Sequence, residues 1–229
     1  MVREGLPKQR APRKGTLRAL ACAVLLCGGG AALGGCSLSG AVKGALSSNT
    51  PSKTYDLVLD RARITQYARL DTQLVVASPK AVKVLAGENI LVKPSPNQVT
   101  YYGRAVWGDR LPKLFQARLI EAIQQSARFR SVSNGSDRIN GDVTLASTLE
   151  AFQVEVTGDQ AEAVIIIHAQ LIHVSSGKVY ASRRFTDRVS AANNQVDEAV
   201  LALNEGMNNV LAAMAKWVVK RGRLRLSSN

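Results

Sequence analysis

The chain has 229 residues, 46% of them hydrophobic, and sets 30 basic against 17 acidic side chains for a formal charge of +13. That hydrophobic share excludes a disordered chain, and the length suffices for one domain with a full core without requiring a second. An excess of bases suits nucleic acid, an anionic membrane surface or a merely solvated exterior, and the N-terminus bears on which of these applies.

Six bases (Arg3, Lys8, Arg10, Arg13, Lys14 and Arg18) stand against Glu4 ahead of an apolar run from Ala19 to Ala32, which closes in Leu33-Gly34-Gly35-Cys36. A basic start, an apolar middle and small residues before a cut are the marks of a secretory signal. The run is too short and too rich in glycine for a membrane-spanning helix, which needs about 20 apolar residues. An uncleaved N-terminal anchor is the alternative, and either way the rest of the chain is exported, so no nucleic acid is expected as a partner. Leu-Gly-Gly-Cys resembles the lipobox of bacterial lipoproteins, whose cysteine is acylated, as with palmitate, and becomes the first mature residue. Residues 1–35 are read as this signal and Cys36 as the lipidation site. Without 1–35 the charge is +8 and Cys36 is the sole cysteine, because Cys22 and Cys27 leave with the signal. No intramolecular disulfide can then form. Acyl chains would hold the protein at about 0.8 kcal/mol per buried methylene, with more than one chain needed for stable anchoring.

Residues 36–53 are rich in Ser, Gly, Ala and Thr and read as a flexible tether. The folded domain is expected over 54–222, with a basic tail at 223–229. Thr54 to Asp60 alternates and predicts the first strand; Ala62 to Asp71 is ambiguous. Thr72 to Ala77 and Asn89 to Lys93 are short apolar strands, the second stopped by Pro94 and Pro96. Val99 to Gly108 is an aromatic cluster running into a helix with Asp109 as N-cap and Pro112 in its first turn. On that helix, expected to end near Arg128, Leu111, Leu114, Phe115, Leu119, Ala122 and Ile123 share one face, with Lys113, Gln116 and Gln124 opposite. Phe129 to Val132 predicts a strand, and Asn134-Gly135-Ser136 a turn. Between Gly141 and Ser190, three long strands form an antiparallel meander with turns at Thr157 to Gln160 and Ser175 to Gly177. Val143, Leu145, Leu149 and Ala151 keep one alternation phase and Phe152, Val154 and Val156 the other, which predicts a bulge or a bend near Thr148 to Ala151. A last helix is expected from Gln195 to about Lys220, capped by Asn194, with an apolar stripe through Val196, Ala199, Val200, Leu203, Met207, Val210, Leu211, Met214 and Trp217. Together these elements predict an α/β (α+β) sandwich. It is a single domain whose mixed, largely antiparallel sheet is packed by two main amphipathic helices.

Residues that would carry chemistry are scarce. There is no Gly-x-x-x-x-Gly-Lys-[Ser/Thr] phosphate loop and no Gly-x-Ser-x-Gly elbow. His168 and His173, five apart in one strand, fall on opposite faces and cannot share a metal. Asp56, Asp60, Asp71, Asp142, Glu150, Glu155 and Asp159 are scattered without local pairing. No cofactor, metal or catalytic residue is assigned, and the chain is read as a non-enzyme. The cluster Tyr101, Tyr102, Arg104 and Trp107 has two readings. Its rings fill the junction of sheet and helix, or they form a partner surface, where Tyr, Trp and Arg are favoured hot-spot residues. The basic tail is either solvated or in contact with anionic head groups.

In order of features the chain resembles the ABC-type transport auxiliary lipoproteins, the PqiC-like components of MCE-type lipid transport systems. The resemblance rests on the lipobox at Cys36, Tyr55-Asp-Leu57, Ile90-Leu-Val92, and Tyr101-Tyr102 through Trp107 into Arg110-Leu-Pro112 and Leu119. It continues through Phe129 and Val132, Leu149-Glu-Ala-Phe152, Ala169 to Gly177, Arg184-Phe185 and the helix bearing Trp217. It implies a non-catalytic, lipid-anchored subunit that docks the transporter to the periplasmic face of the outer membrane. Its partners would be an MCE-domain substrate-binding protein with a separate ABC permease and ATPase, and a homo-oligomer is compatible with it. Ser37, in place of Asp, is similar to lipoproteins sorted to the outer membrane. The alternatives are another envelope-assembly or cell-wall-synthase-regulating lipoprotein, and a periplasmic lipid carrier with a deep apolar pocket.

Overall fold

The computed structural model of the chain describes residues 52–137 and 141–226. The expected signal at 1–35, Cys36 and nearly all of the tether lie outside the described residues, as do residues 227–229.

The meander forms the backbone of the sheet. Strand β7 (Val143–Thr157) runs antiparallel to β8 (Gln160–His173), which pairs in turn with β9 (Val179–Ala191). The turns that join them hold Gly158 and Gly177 at φ of 60° and 65°, where a side chain would be strained. Partners shift from Leu149↔Ile167 to Ala151↔Ile166, leaving Glu150 as the extra residue. The bulge sits where the alternation changes phase, and it lets Leu145, Leu149, Phe152 and Val154 all reach the core.

The other edge of β7 takes three parallel partners in succession. They are β2 (Tyr67–Val76) at Val143 to Leu145, β3 (Lys80–Ala81) at Thr148 and Leu149, and β4 (Asn89–Ser95) at Val154 and Glu155. Outside β2 lies β6 (Ala127–Asn134), parallel to it; outside β4 lies β5 (Gln98–Trp107), antiparallel, and then β1 (Lys53–Tyr55), parallel to β5. The nine-stranded sheet is therefore mixed, and its antiparallel pairings are the long ones.

Helices α1 (Leu111–Ser126) and α2 (Val196–Leu226) pack against one another and against this sheet, α1 over β2 and β6, α2 over β8 and β9. One core joins them: Leu111, Phe115, Leu119, Ala122 and Ile123 from α1 meet Leu203, Met207, Leu211 and Met214 from α2 above Leu145, Leu149, Ile165 and Ile167. Each such side chain, fully buried, stabilises the fold by about 1.5–3 kcal/mol. Gly206 permits the approach of α2, because a Cβ there would lie 2.5 Å from Ile165 Cδ1. Among the described residues no helix is long and apolar enough to cross a membrane.

Several expectations need correction. Of the first predicted strand, only Thr54 and Tyr55 lie in β1. From Asp56 to Asp60 the chain is irregular, with Leu57 and Leu59 in the core, and its backbone bonds to α2 instead of to another strand. The N–H of Val58 donates to Asn204 Oδ1 at 2.8 Å and that of Asp60 to Asn208 Oδ1 at 2.8 Å, while Asn208 Nδ2 donates to Val58 O at 2.9 Å. The ambiguous stretch after it holds a 3-10 turn at Arg61–Arg63 and the start of β2. Val99 to Gly108 proves to be mostly strand β5. Gln116 faces inward, buried, donating to Val76 O at 3.0 Å and Asn134 Oδ1 at 2.9 Å, so it braces α1 on the ends of β2 and β6. Asp109 stands one residue too early to cap α1, whose N-cap is Arg110; its carboxylate accepts from Arg110 N–H and pairs with Lys113, which lowers its pKa. Asn194 does not cap α2 as expected: its Oδ1 accepts from the Tyr102 hydroxyl at 2.8 Å, and Asn193 Oδ1 takes the N–H of Gln195. The helix continues to Leu226, past the expected end at Lys220.

Candidate functional site

The four aromatic and basic candidates lie on β5, but the fold separates them. β4 and β5 make a hairpin through Ser95↔Gln98, with Val92 opposite Thr100 and Leu91 opposite Tyr101. The next pair is Asn89↔Val106, so Ile90 alone faces Tyr102 to Ala105. Those extra residues make a wide bulge, and Arg104 within it has φ of 57°. A left-handed conformation costs a residue with a side chain about 1–2 kcal/mol, and such strain concentrates at ligand and partner sites.

Tyr101 is 41% exposed and Val99, two residues earlier, 49%. Arg104 is exposed on the bulge. Tyr102 is half-buried, with its hydroxyl fixed by Asn194 at the approach to α2, and burial raises its phenol pKa. Trp107 is only 2% exposed and meets Phe152 edge-on, ring centres 6.1 Å apart. Its backbone N–H donates to Glu88 O at 2.7 Å. Trp107 thus fills the sheet–helix junction and leaves the candidate surface, because β1 and the Gly87-Glu88 turn close over the strand at that point. What remains is Tyr101 and Arg104, with Tyr102 between them in sequence and its hydroxyl tied to Asn194. Val99 joins them; its signal in the sequence was its spacing of two from Tyr101, which puts both on one side of a strand.

The start of β1 is pinned beside this hairpin. Lys53 Nζ and the Tyr55 hydroxyl reach the two oxygens of Asp197 at 2.8 and 2.6 Å, and these bonds, the one from Lys53 foremost, lower the pKa of Asp197.

His168 and His173 lie on opposite faces of β8, as alternation requires. His168 Nε2 is 2.8 Å from Ser182 Oγ, and the ring of His173 lies 4.4 Å from that of Tyr180. Among the described residues no group of three or more His, Cys, Asp or Glu could hold a metal ion. On the sheet face away from the helices Glu155 and Glu162 stand directly opposite each other, and Arg188 pairs with both. That offsets a like-charge cross-strand contact and accounts for the raised pKa of Arg188, mostly through its hydrogen bond to Glu162.

The family of ABC-type transport auxiliary lipoprotein components matches residues 55–215, from the end of β1 through most of α2. The chain belongs to this family. This auxiliary lipoprotein is 25% identical over 166 residues to the uncharacterized protein bll6063 of Bradyrhizobium diazoefficiens, covering 72% of this chain and 44% of that relative's length. It is also similar to the crystal structure of protein XCC0632 from Xanthomonas campestris, with a TM-score of 0.70 at 23% identity over 76% of this chain and 99% of that one. A second crystal structure, of an uncharacterized protein, gives a TM-score of 0.57 at 20% identity over 73% of this chain and 99% of that one. These two likenesses show a shared fold.

Arg104→Gly isolates the strained bulge of this auxiliary lipoprotein. Relief of the left-handed strain outweighs the added freedom of the unfolded chain, so the variant should be more stable by about 0.5 kcal/mol. A higher urea midpoint checks this; a lower one would mean that contacts of the Arg104 side chain outweigh the strain.

Proposed function

We propose that this auxiliary lipoprotein is a non-catalytic subunit, tethered through acylated Cys36 to the periplasmic face of the outer membrane. It docks an MCE-domain substrate-binding protein whose permease and ATPase are separate chains, in a system that moves phospholipid or other hydrophobic molecules. The family match over residues 55–215 carries the reading. The β4–β5 hairpin supports it, with Val99, Tyr101 and Arg104 as the contact. Tethering contributes by raising the local concentration of the partner at the membrane. A lipid carrier needs a deep apolar pocket. Two clefts among the described residues are open: one of about 420 Å³ is lined by Glu155, Asp159, Glu162 and Arg188, and one of about 330 Å³ lies between β9 and α2.

The test is a gentle detergent pull-down of C-terminally tagged protein beside Cys36→Ser and Tyr101→Ala, with mass spectrometry of what is retained. Recovery of an MCE-domain protein with its permease and ATPase by the wild type, reduced by Tyr101→Ala, is the expected result. Cys36→Ser should leave the membrane fraction. Recovery of cell-wall synthases or envelope-assembly machinery instead would replace this reading with the regulatory one.

A further inference from the structure

We propose that the C-terminal part of α2, with the adjoining stretch of β9, forms a second membrane contact: a basic surface for the head groups of anionic phospholipids. Its place at a membrane rests on the tethered reading above; its chemistry does not.

The charges of α2 are segregated along its length. Asp197, Glu198 and Glu205 lie in its first part, whereas from Gly206 to Leu226 it carries no acid and the five bases Lys216, Lys220, Arg221, Arg223 and Arg225. The apolar stripe stops within this stretch. Leu203, Val210 and Met214 recur at spacings of seven and eleven and are buried. The stripe continues through Trp217 and Val218, both buried, and its next position is Arg221, which is exposed. Lys216 and Lys220 are exposed on the other side. At Arg221 the helix carries an exposed base where the stripe would otherwise place a buried apolar residue.

β9 extends this surface. Phe185 packs edge-on against Trp217 with ring centres 5.6 Å apart, and the Arg183 guanidinium lies 4.9 Å above the Phe185 ring, which places Arg183 beside the turn that bears Lys216. Between the two elements runs the cleft of about 330 Å³, with Arg183, Arg184 and Asn209 in its lining. The acids nearby are engaged: Asp187 accepts from Asn209 Nδ2 at 2.8 Å, and Glu150 pairs with Arg184 at 2.6 Å.

A membrane is within reach. The seventeen peptide steps from Cys36 to Lys53 extend to at most about 60 Å. Lys53 is held at Asp197, and Lys216 lies nineteen residues further along α2, about 29 Å. An anchored chain can therefore lay its basic end on the bilayer that holds it. Each base close to an anionic surface raises partition about fivefold at low salt.

The test uses the mature chain from residue 36 carrying Cys36→Ser, so that neither acyl chains nor the basic signal contribute. It is co-sedimented with vesicles of phosphatidylcholine alone, or with roughly one-third phosphatidylglycerol. Partition onto the anionic vesicles should exceed that onto neutral ones about a hundredfold at low salt. It should fall to the neutral level in about 0.5 M salt, and at least about tenfold in the triple variant K216Q/K220Q/R221Q. Equal partition onto both vesicles, insensitivity to salt, or an unchanged triple variant would overturn the proposal; the salt titration needs no substitution and stands even if the variant misfolds. Membrane retention of the unmodified Cys36 chain tests the tether by itself. Anionic binding by Cys36→Ser alongside failed retention would sink the tether and keep the basic surface, and the reverse pattern would do the opposite.

Discussion

Trp107→Ala should lower the free energy of unfolding by about 3–5 kcal/mol, the usual loss when a buried aromatic is cut back to a methyl group. The indole is 2% exposed, sits edge-on to Phe152 and belongs to the core that both helices share. Its removal takes away a large apolar contact and an aromatic pair worth about 0.5–1.5 kcal/mol beyond its area, and the strands around it can close the void only in part. Trp107→Phe keeps a ring against Phe152 and should lose clearly less. Urea unfolding followed by far-UV circular dichroism checks both, since the signal does not depend on tryptophan. With a slope near 2 kcal/mol/M the midpoint of the alanine variant should fall by about 2 M. A surface hot spot would behave in the opposite way: stability would stay within about 0.5 kcal/mol and partner recovery would drop. A loss under about 1 kcal/mol would return Trp107 to the surface.

Trp107 also illustrates what a sequence can and cannot disclose. Tyr101, Tyr102, Arg104 and Trp107 are alike as residue types, and composition gives no means of sorting them. The sorting is done by a bulge that sets Ile90 against four residues of β5 and by β1 closing over Trp107, contacts between segments remote in the chain. Where signals are local, the sequence was legible. Glycine turns and long alternating runs marked the meander, and the change of phase marked the bulge at Glu150. The stripe of α2 was legible too, because 3.6-residue periodicity persists over many turns. Gln116 misled because a polar residue next to an apolar face reads as solvent-facing, yet Val76 O and Asn134 Oδ1 await it there. The expected strand from Thr54 to Asp60 misled for a related reason. Alternation reports which side chains are buried and says nothing about what bonds the backbone, and here two asparagines of α2 replace a neighbouring strand.

Those asparagines support the second large effect. Asn208→Ala should cost about 2–3 kcal/mol, although alanine is the better helix former. The side chain is 2% exposed, and its amide serves both sides of one segment, accepting from Asp60 N–H at 2.8 Å and donating to Val58 O at 2.9 Å. Its other contact is to Asn204 O at 2.8 Å, within the helix. Alanine leaves a donor and an acceptor of the segment without these partners, and each part-buried orphan costs about 1–3 kcal/mol less whatever water recovers. Asn208→Asp is no remedy. It keeps an acceptor for Asp60 N–H but turns a carboxylate oxygen towards Val58 O and Asn204 O, so it should be at least as damaging as alanine. Asn204→Ala removes a single bond to an exposed N–H and should cost about 1 kcal/mol or less. Hydrogen exchange makes the mechanism visible: in Asn208→Ala the amide of Asp60 should exchange much faster, while those of β7 and β8 accelerate only as far as global stability falls. Uniform acceleration across the domain would mean that Asn208 supports the packing of α2 as a whole and not this segment. The segment joins the tether side of the chain to the core, because Leu57 and Leu59 enter the core directly after β1. Because β1 stays paired with β5 and Lys53 and Tyr55 stay bonded to Asp197, the tether's attachment should survive in Asn208→Ala, and the loosening should be confined to the stretch from Asp56 to Asp60 that carries Leu57 and Leu59 into the core.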